Sequence, residues 1–227
     1  MKTMLITGTS RGVGKAIYEY FSNSYNVIGV SRTGNPEYKG DLTDINFRKK
    51  LIKEVQPDVF INNAGILDYN FMNVVETNLV AAGHLMTEYY KVMEPGSSII
   101  NMSSSCAVVH GTPNMTDWRI SYHTAKSALK KLSENLSESR TRNIRVTSLE
   151  PAHVDTLMTC GGRGKLWNFS DDEYEKADID NFLPMPPEYI AKTIEWVLNQ
   201  PKWVQISSMR ILNLHNKEIT EMPVDTR

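Results

Sequence analysis

The amino-acid sequence predicts an α/β fold, a doubly wound and mainly parallel seven-stranded sheet with helices on both faces. Two observations predict it. Short apolar or β-branched runs alternate along the chain with longer segments of helical period, as they do in βαβ units. Runs such as Val59-Phe60-Ile61 and Ile99-Ile100 are apolar on consecutive residues, which is typical of strands covered on both faces of a parallel sheet. No linker separates two composition regimes, so we expect residues 1–227 to form one domain.

The elements follow from this alternation in chain order. Strands are predicted at 3–7, 26–31, 37–41, 58–61, 97–102, 144–149 and 206–213, and helices at 12–23, 44–55, 71–92, 121–141 and 187–199. The strand at 37–41 has the weakest pattern. The segment 155–186 breaks the periodicity with a glycine cluster and a proline cluster, and it follows the carboxyl end of a strand, where such sheets bind ligands. We therefore expect it to form a lid over a binding site.

Composition and charge exclude several classes of protein. The 25 Lys and Arg residues nearly balance the 26 Asp and Glu residues, so the net charge is -1, and we expect no nucleic-acid surface. No apolar run approaches the roughly 20 residues of a membrane span, so we expect no membrane partner. Two distant cysteines, Cys106 and Cys160, and no secretory start indicate a cytoplasmic location. The five histidines show no metal-ligand spacing, so no metal site is predicted.

A glycine-rich turn joins the first strand to the first helix, with glycines at 8, 12 and 14. Glycine permits the backbone conformations of such a turn and lets a pyrophosphate approach amides at a helix N-terminus. A merely structural turn remains an alternative. At the end of the second strand, where an acidic residue would select NAD, the sequence has Ser31-Arg32-Thr33. With no carboxylate there and Arg11 nearby, we expect the 2′-phosphate of NADP to bind, unless both arginines are only solvated surface residues.

Tyr122 and Lys126 are spaced i and i+4 near the start of a predicted helix, so their side chains share a face. A fixed ammonium beside a tyrosine favours the phenolate and lowers its pKa toward neutrality. This spacing is common by chance, and it gains weight only from the motifs around it. Those motifs are Thr7-Gly8-X3-Gly12-X-Gly14, Asp41-Leu42, Asn62-Asn63-Ala64-Gly65, Asn78, Asn101-Met102-Ser103-Ser104-Ser105 and Pro151-Ala152-His153-Val154-Asp155-Thr156.

In their order and strand positions, these motifs resemble those of the short-chain dehydrogenase/reductase (SDR) family, in its single-domain, NADP-preferring branch. The resemblance spans about residues 3–156. It implies a Rossmann-type fold, NADP as cofactor, and a homodimer or homotetramer. It also implies four catalytic residues: Tyr122 as general acid/base, Lys126 on the nicotinamide ribose, Ser104 on the substrate carbonyl, and Asn78 anchoring a water that relays protons to Lys126. The implied cofactor-binding residues are Gly8, Ser10, Arg11, Val13, Gly14, Ser31, Arg32, Thr33, Asp41, Leu42, Asn63, Ala64, Gly65, Tyr122, Lys126, Pro151, Val154 and Thr156.

The sequence departs from the family pattern in four places. Ala152 replaces the glycine that usually follows the proline, and the last strand lacks the usual glycine-rich ending. The interval from Ser104 to Tyr122 is longer than usual, and we expect its loop, which carries His110, Asn114 and Trp118, to form a wall of the substrate pocket. The interval from Gly65 to Asn78 is shorter, so the helix at 71–92 must start almost at once.

Together these features predict an NADP(H)-dependent oxidoreductase that interconverts a small-molecule carbonyl and a secondary alcohol by hydride transfer. The alternative is a non-catalytic NADP-binding sensor or scaffold built on the same fold, since a fold does not fix a function. The sequence does not determine the substrate, the direction of the reaction, its stereospecificity or the oligomeric state. It also does not determine whether the 155–186 segment is ordered without ligand.

Overall fold

The computed structural model describes residues 1–108, 117–156, 158 and 184–213. Its strands are β1 (Thr3–Thr7), β2 (Asn26–Ser31), β3 (Tyr38–Lys39), β4 (Val59–Asn62), β5 (Ser98–Met102), β6 (Arg145–Pro151) and β7 (Ser208–Ile211). Its α-helices are α1 (Gly12–Phe21), α2 (Ile45–Glu54), α3 (Phe71–Val75), α4 (Ala82–Val92), α5 (Asp117–Ser139) and α6 (Pro187–Leu198). A π-helical segment, Glu76–Ala81, joins α3 to α4, and Ser105–Ala107 form a short 3-10 turn.

The seven strands form one sheet in the order β3-β2-β1-β4-β5-β6-β7, and every neighbouring pair is parallel. The chain builds outward from β1 in one direction through β2 and β3, and then returns to the other side of β1 with β4. This is the predicted doubly wound α/β fold, which the structure confirms. The order reverses between β1 and β4, and ligands bind in such sheets at the reversal, beside the carboxyl ends of the strands.

A hydrophobic core lies on each face of the sheet because the central strands are buried on both sides. On one face α1 and α6 cover the sheet, with residues such as Ile17 and Ile194 fully buried. On the other face α2, α4 and α5 do so, and the rings of Phe60 and Tyr89 lie 4.7 Å apart there. Burying one such large apolar side chain contributes about 1.5–3 kcal/mol. The two cores therefore fix the strand ends from which the site is built.

Several boundaries differ from the prediction. The strands β3 and β7 are shorter than the predicted 37–41 and 206–213, and α5 begins at Asp117 rather than at 121. The helix predicted at 71–92 starts at Phe71, as its short approach requires, but a π-helical segment interrupts it. Most of the 155–186 segment, with Cys160, lies outside the described residues, as do His110, Asn114 and the side chain of Trp118. The predicted lid and pocket wall stay predictions.

Candidate active site

A cleft of about 340 Å³ opens at the carboxyl ends of the strands, across the reversal between β1 and β4. It runs from the turn after β1 to the start of the loop that follows β6. The described residues that line it are Gly8, Ser10, Arg11, Gly12, Val13, Gly14, Val30, Ser31, Arg32, Thr33, Gly40, Asp41, Leu42, Asn63, Ala64, Gly65, Ile66, Thr77, Met102, Ser103, Ser104, Tyr122, Lys126, Pro151, Ala152, Val154, Thr156 and Met158. The structure thus gathers the predicted site residues around one cleft, with the exception of Asn78.

The turn after β1 leaves space for a ligand because it lacks side chains at critical positions. Gly8 has a φ of +81°, in the left-handed region that favours glycine. A Cβ on Gly14 would lie 2.2 Å from the carbonyl oxygen of Gly8, so α1 approaches the preceding backbone more closely than any other residue permits. The N-terminus of α1 lies at the cleft, which Gly12 and Val13 also line. This geometry fits the pyrophosphate of a dinucleotide.

Side-chain hydrogen bonds hold the ends of β1 and β4 together below this turn. The Thr7 hydroxyl oxygen accepts hydrogen bonds from the backbone amides of Asn63 and Ala64, each at 3.0 Å. The Asn63 carboxamide donates in return to the carbonyl oxygen of Thr7 at 2.9 Å. Thr7 is fully buried. The two strand ends that flank the reversal are therefore fixed relative to each other.

Ser104, Tyr122 and Lys126 meet on the opposite side of the cleft. Ser104 follows β5, accepts a hydrogen bond from the Cys106 amide at 3.2 Å, and hydrogen-bonds with the Tyr122 hydroxyl. Lys126 lies one turn further along α5, with its Nζ 5.7 Å from the centre of the Tyr122 ring. The neighbouring Ser103 instead donates to the Lys126 carbonyl oxygen at 3.0 Å. Of the two adjacent serines, Ser104 is thus the one that contacts the tyrosine.

Burial dominates the electrostatics of this pair. Desolvation raises the pKa of Tyr122 above its ordinary value, and the nearby Cys106 raises it further, while the Ser104 hydrogen bond lowers it. Desolvation also lowers the pKa of Lys126 to about 8. Its Nζ donates to the carbonyl oxygen of Met102 at 2.7 Å. The net effect of burial on Tyr122 is thus opposite to the lowered pKa that was expected from a neighbouring Lys126, whose Nζ lies 5.7 Å from the ring centre.

Asn78 lies behind the cleft and holds its wall. Its carboxamide oxygen accepts from the Ile66 amide and its nitrogen donates to the Ile66 carbonyl oxygen, both at 2.8 Å. The residue is fully buried within the π-helical segment, whose wider turn is a feature often found at functional sites. The oxygen also lies next to Gly65, as does the Nζ of Lys126. Asn78 therefore fixes the loop after β4, and its water-anchoring role stays a prediction.

The end of β2 differs from the prediction that no carboxylate lies there. Arg32 forms an ion pair with Asp41, with 3.6 Å between its guanidinium nitrogen and the carboxylate oxygen. The sequence separation of nine residues hid this contact, which arises because β3 pairs with β2 and returns the chain to the same edge. The arginine that was expected to be available for a phosphate already has an anionic neighbour.

Some lining residues were missed by the sequence reading. Gly40, Ile66 and Met158 line the cleft without belonging to any motif that we singled out. Gly40 directly precedes Asp41, and Ile66 directly follows the Asn-Asn-Ala-Gly motif, so extending each motif by one residue would have found them. Met158 had no such signal.

A family model for short chain dehydrogenases matches residues 2–163 of the chain. The chain belongs to this family. It is accordingly an oxidoreductase, and the family membership that its motifs indicated is confirmed. Among the described residues, no helix of this short chain dehydrogenase is long and apolar enough to cross a membrane.

Relatives and solved structures of similar fold accompany the family match. Serine 3-dehydrogenase from Rhizobium radiobacter is 27% identical over 92% of this chain and 93% of its own length. A mutant 4-hydroxyisoleucine dehydrogenase, solved with NADH and succinate, superimposes with a TM-score of 0.74 at 23% identity, covering 93% of this chain and 97% of that one. BdcA, solved with NADPH, gives a TM-score of 0.74 at 22% identity, covering 94% of each chain. These two structures share the fold and hold different nicotinamide cofactors.

Proposed function

We propose that this oxidoreductase uses NADP(H) to interconvert a carbonyl group and a secondary alcohol, with Tyr122 as the general acid/base. One observation carries the proposal: Ser104, Tyr122 and Lys126 lie on the same cleft that the glycine turn and two arginines line at its other side. Proton-transfer groups and a phosphate cradle on one cleft are what a nicotinamide-dependent reaction requires. A protein that only binds the cofactor would not need the proton-transfer groups.

The cofactor would lie along this cleft. The Gly8–Gly14 turn, Ser10 and Val13 would hold the pyrophosphate and adenosine. Ser31, Arg32 and Thr33 would hold the 2′-phosphate, with Arg11 as a second cation. Asp41 and Leu42 would flank the adenine. Asn63, Ala64 and Gly65 would contact the adenosine ribose, and Pro151, Val154 and Thr156 the nicotinamide. The bound nicotinamide supplies the hydride chemistry, and the protein supplies orientation and charge.

The protein side of the reaction consists of proton transfer and charge stabilisation. Tyr122 would donate its hydroxyl proton to the carbonyl oxygen during reduction and take it back during oxidation. Ser104 would hydrogen-bond to the same oxygen as negative charge develops on it. Because burial raises the pKa of Tyr122, its hydroxyl stays protonated at neutral pH, which suits the reductive direction.

Lys126 would bind the nicotinamide ribose and return a proton to Tyr122. With a pKa of about 8, Lys126 can exist as the ammonium and as the neutral amine near neutral pH, as a proton relay requires. Asn78 would support the relay by anchoring a water beside Lys126. The residue also keeps the Ile66 peptide in place at the cleft wall.

The test is NADPH oxidation across a panel of ketones, aldehydes, 3-oxoacyl thioesters and keto sugars. The reverse reaction is followed with 3-hydroxy acids that carry a secondary alcohol, and also with serine, whose hydroxyl is a primary alcohol, since serine 3-dehydrogenase aligns along nearly the whole chain. Tyr122→Phe removes the proton donor while keeping the ring, so we expect kcat to fall by about 10²–10⁴-fold with NADPH binding retained. Tyr20→Phe, which removes only a hydroxyl bonded to Glu195 on the outer surface, serves as the matched control.

The proposal fails if Tyr122→Phe turns over substrate as fast as the wild type. NADPH binding without oxidation by any carbonyl in the panel would favour the non-catalytic sensor instead.

A further inference from the structure

The ion pair between Arg32 and Asp41 lies on the rim of the cleft, and hydrogen bonds from Thr43 hold its carboxylate in place. Asp41 follows β3 and lines the cleft. Its carboxylate accepts hydrogen bonds from the Thr43 amide and the Thr43 hydroxyl, both at 2.9 Å, and its other oxygen faces the Arg32 guanidinium at 3.6 Å. Although partial burial raises the pKa of Asp41, these hydrogen bonds and Arg32 lower it below its ordinary value. The carboxylate is therefore ionised at neutral pH.

Asp41 is the only acidic residue among the described residues that line the cleft. A second carboxylate near the end of β2, that of Glu37, is directed elsewhere. It accepts hydrogen bonds from the Gly29 amide at 2.6 Å and the Tyr18 hydroxyl at 2.7 Å, and it does not line the cleft. Any anionic group of a ligand that reaches Arg32 therefore meets one specific carboxylate.

We propose that Asp41 sets the cofactor preference of this enzyme: by engaging Arg32, it weakens binding of the 2′-phosphate of NADP(H), so that NAD(H) is also accepted. The inference rests on the proposed function, because it assumes that Arg32 receives the 2′-phosphate. It goes further by naming the residue that opposes this interaction.

The physical reason is competition for one guanidinium. A 2′-phosphate that binds Arg32 must share its donors with the Asp41 carboxylate or displace it, and it brings two negative charges near a third. The side chains of Arg32 and Asp41 are 63% and 46% exposed, so the pair is solvent-screened and weak. The phosphate can therefore bind, but at reduced affinity. For unit charges a few ångströms apart near water, Coulomb's law gives an effect of about three- to tenfold in the dissociation constant.

Asp41→Asn tests the proposal with little structural change, because the amide oxygen can still accept from Thr43. Dissociation constants for NADPH and NADH are measured by titration of nicotinamide fluorescence, without substrate. We expect NADPH to bind about three- to tenfold more tightly and NADH binding to change by less than about twofold. The matched control is Asp44→Asn, which removes the same charge three residues away and keeps a residue that caps α2. It should leave both constants unchanged.

Arg32→Gln completes the design. In that background, adding Asp41→Asn should give little further gain in NADPH affinity, because the carboxylate acts through the guanidinium. Unchanged or weaker NADPH binding by Asp41→Asn would overturn the inference, the latter because Asp41 would then orient Arg32 for the phosphate. A gain of equal size without Arg32 would overturn it as well.

Failure of the proposed function has a different signature. A wild-type protein that binds neither NADPH nor NADH would refute the proposed function and the inference with it. A wild-type protein that binds only NADH, and gains NADPH binding through Asp41→Asn, would refute the NADP preference and support the inference.

Discussion

Replacing Lys126 by Met should make the protein more stable at neutral pH while disabling it. Lys126 is 4% exposed, and its pKa falls from an ordinary 10.5 to about 8 because burial disfavours the ammonium. At about 1.36 kcal/mol for each pH unit between the two values, the charged side chain costs about 3 kcal/mol of folding free energy near pH 7. Met keeps a similar shape and removes the charge.

The net gain is smaller because the variant loses the hydrogen bond to the Met102 carbonyl oxygen. Such a bond contributes about 1 kcal/mol, which leaves a gain of about 2 kcal/mol in the free energy of unfolding, or about 4–8 °C in Tm for a chain of this size. The proposed reaction should be lost, since Lys126 lines the cleft beside Tyr122.

The pH dependence gives the sharper test, and its sign follows from proton binding. Between pH 8 and 10.5 the unfolded chain holds a proton on this lysine that the folded chain has released, so the stability of the wild type rises with pH there. Lys126→Met lacks the titrating side chain and therefore this rise in stability with pH. Its advantage over the wild type should therefore be largest below pH 8 and shrink by about 2 kcal/mol near pH 9.5.

Urea unfolding of both proteins at pH 7 and pH 9.5 measures this difference. Lys131→Met, an exposed lysine on the same helix, is the control and should show no such pH-dependent advantage. A Lys126→Met variant that is less stable than the wild type at pH 7, or whose advantage is the same at both pH values, would refute the reasoning.

Two further substitutions probe the base of the cleft. Gly14→Ala should lower the free energy of unfolding by about 1–3 kcal/mol and weaken NADPH binding, because its Cβ would lie 2.2 Å from the Gly8 carbonyl oxygen. Gly83→Ala, another helical glycine, meets only a flexible leucine methyl at 3.2 Å and should be neutral or stabilising; equal urea midpoints for the two variants would contradict the close approach. Thr7→Val should cost about 1–3 kcal/mol in urea unfolding, because two backbone amides lose their acceptor. A change below about 0.5 kcal/mol would show that other acceptors replace the hydroxyl.

The alternation of apolar runs and helical periods was enough to place the central sheet. Strands such as Val59–Asn62 are apolar on consecutive residues because both faces are covered, and this signal is local in the sequence. The ends of the edge strands were predicted less accurately. β3 has only two paired residues and lies at the edge of the sheet, so its sequence carries a weaker apolar pattern. The start of α5 was missed because its first turn precedes the motif that drew attention to it.

The site was predictable where chemistry follows a motif, and not where it depends on distant contacts. The motifs identified Ser104, Tyr122 and Lys126, which the structure brings to one cleft. The Arg32–Asp41 pair depends on the pairing of β2 with β3, and the hydrogen bond from Lys126 to the Met102 carbonyl oxygen joins α5 to β5. Neither leaves a local pattern, because each contact joins two elements that come together only in the folded sheet.

The widened turn at Glu76–Ala81 carries a warning for protein engineering. Programmes of stabilisation commonly regularise helices, replacing irregular stretches with ideal geometry and strong helix formers. Applied between Phe71 and Val92, such a redesign would close the turn and rotate Asn78 away from the Ile66 peptide that it grips from both sides. The helix would become more regular, but the wall of the cleft would lose the hydrogen bonds that hold it. Residues 76–81 should therefore be kept unchanged in any thermostabilised variant.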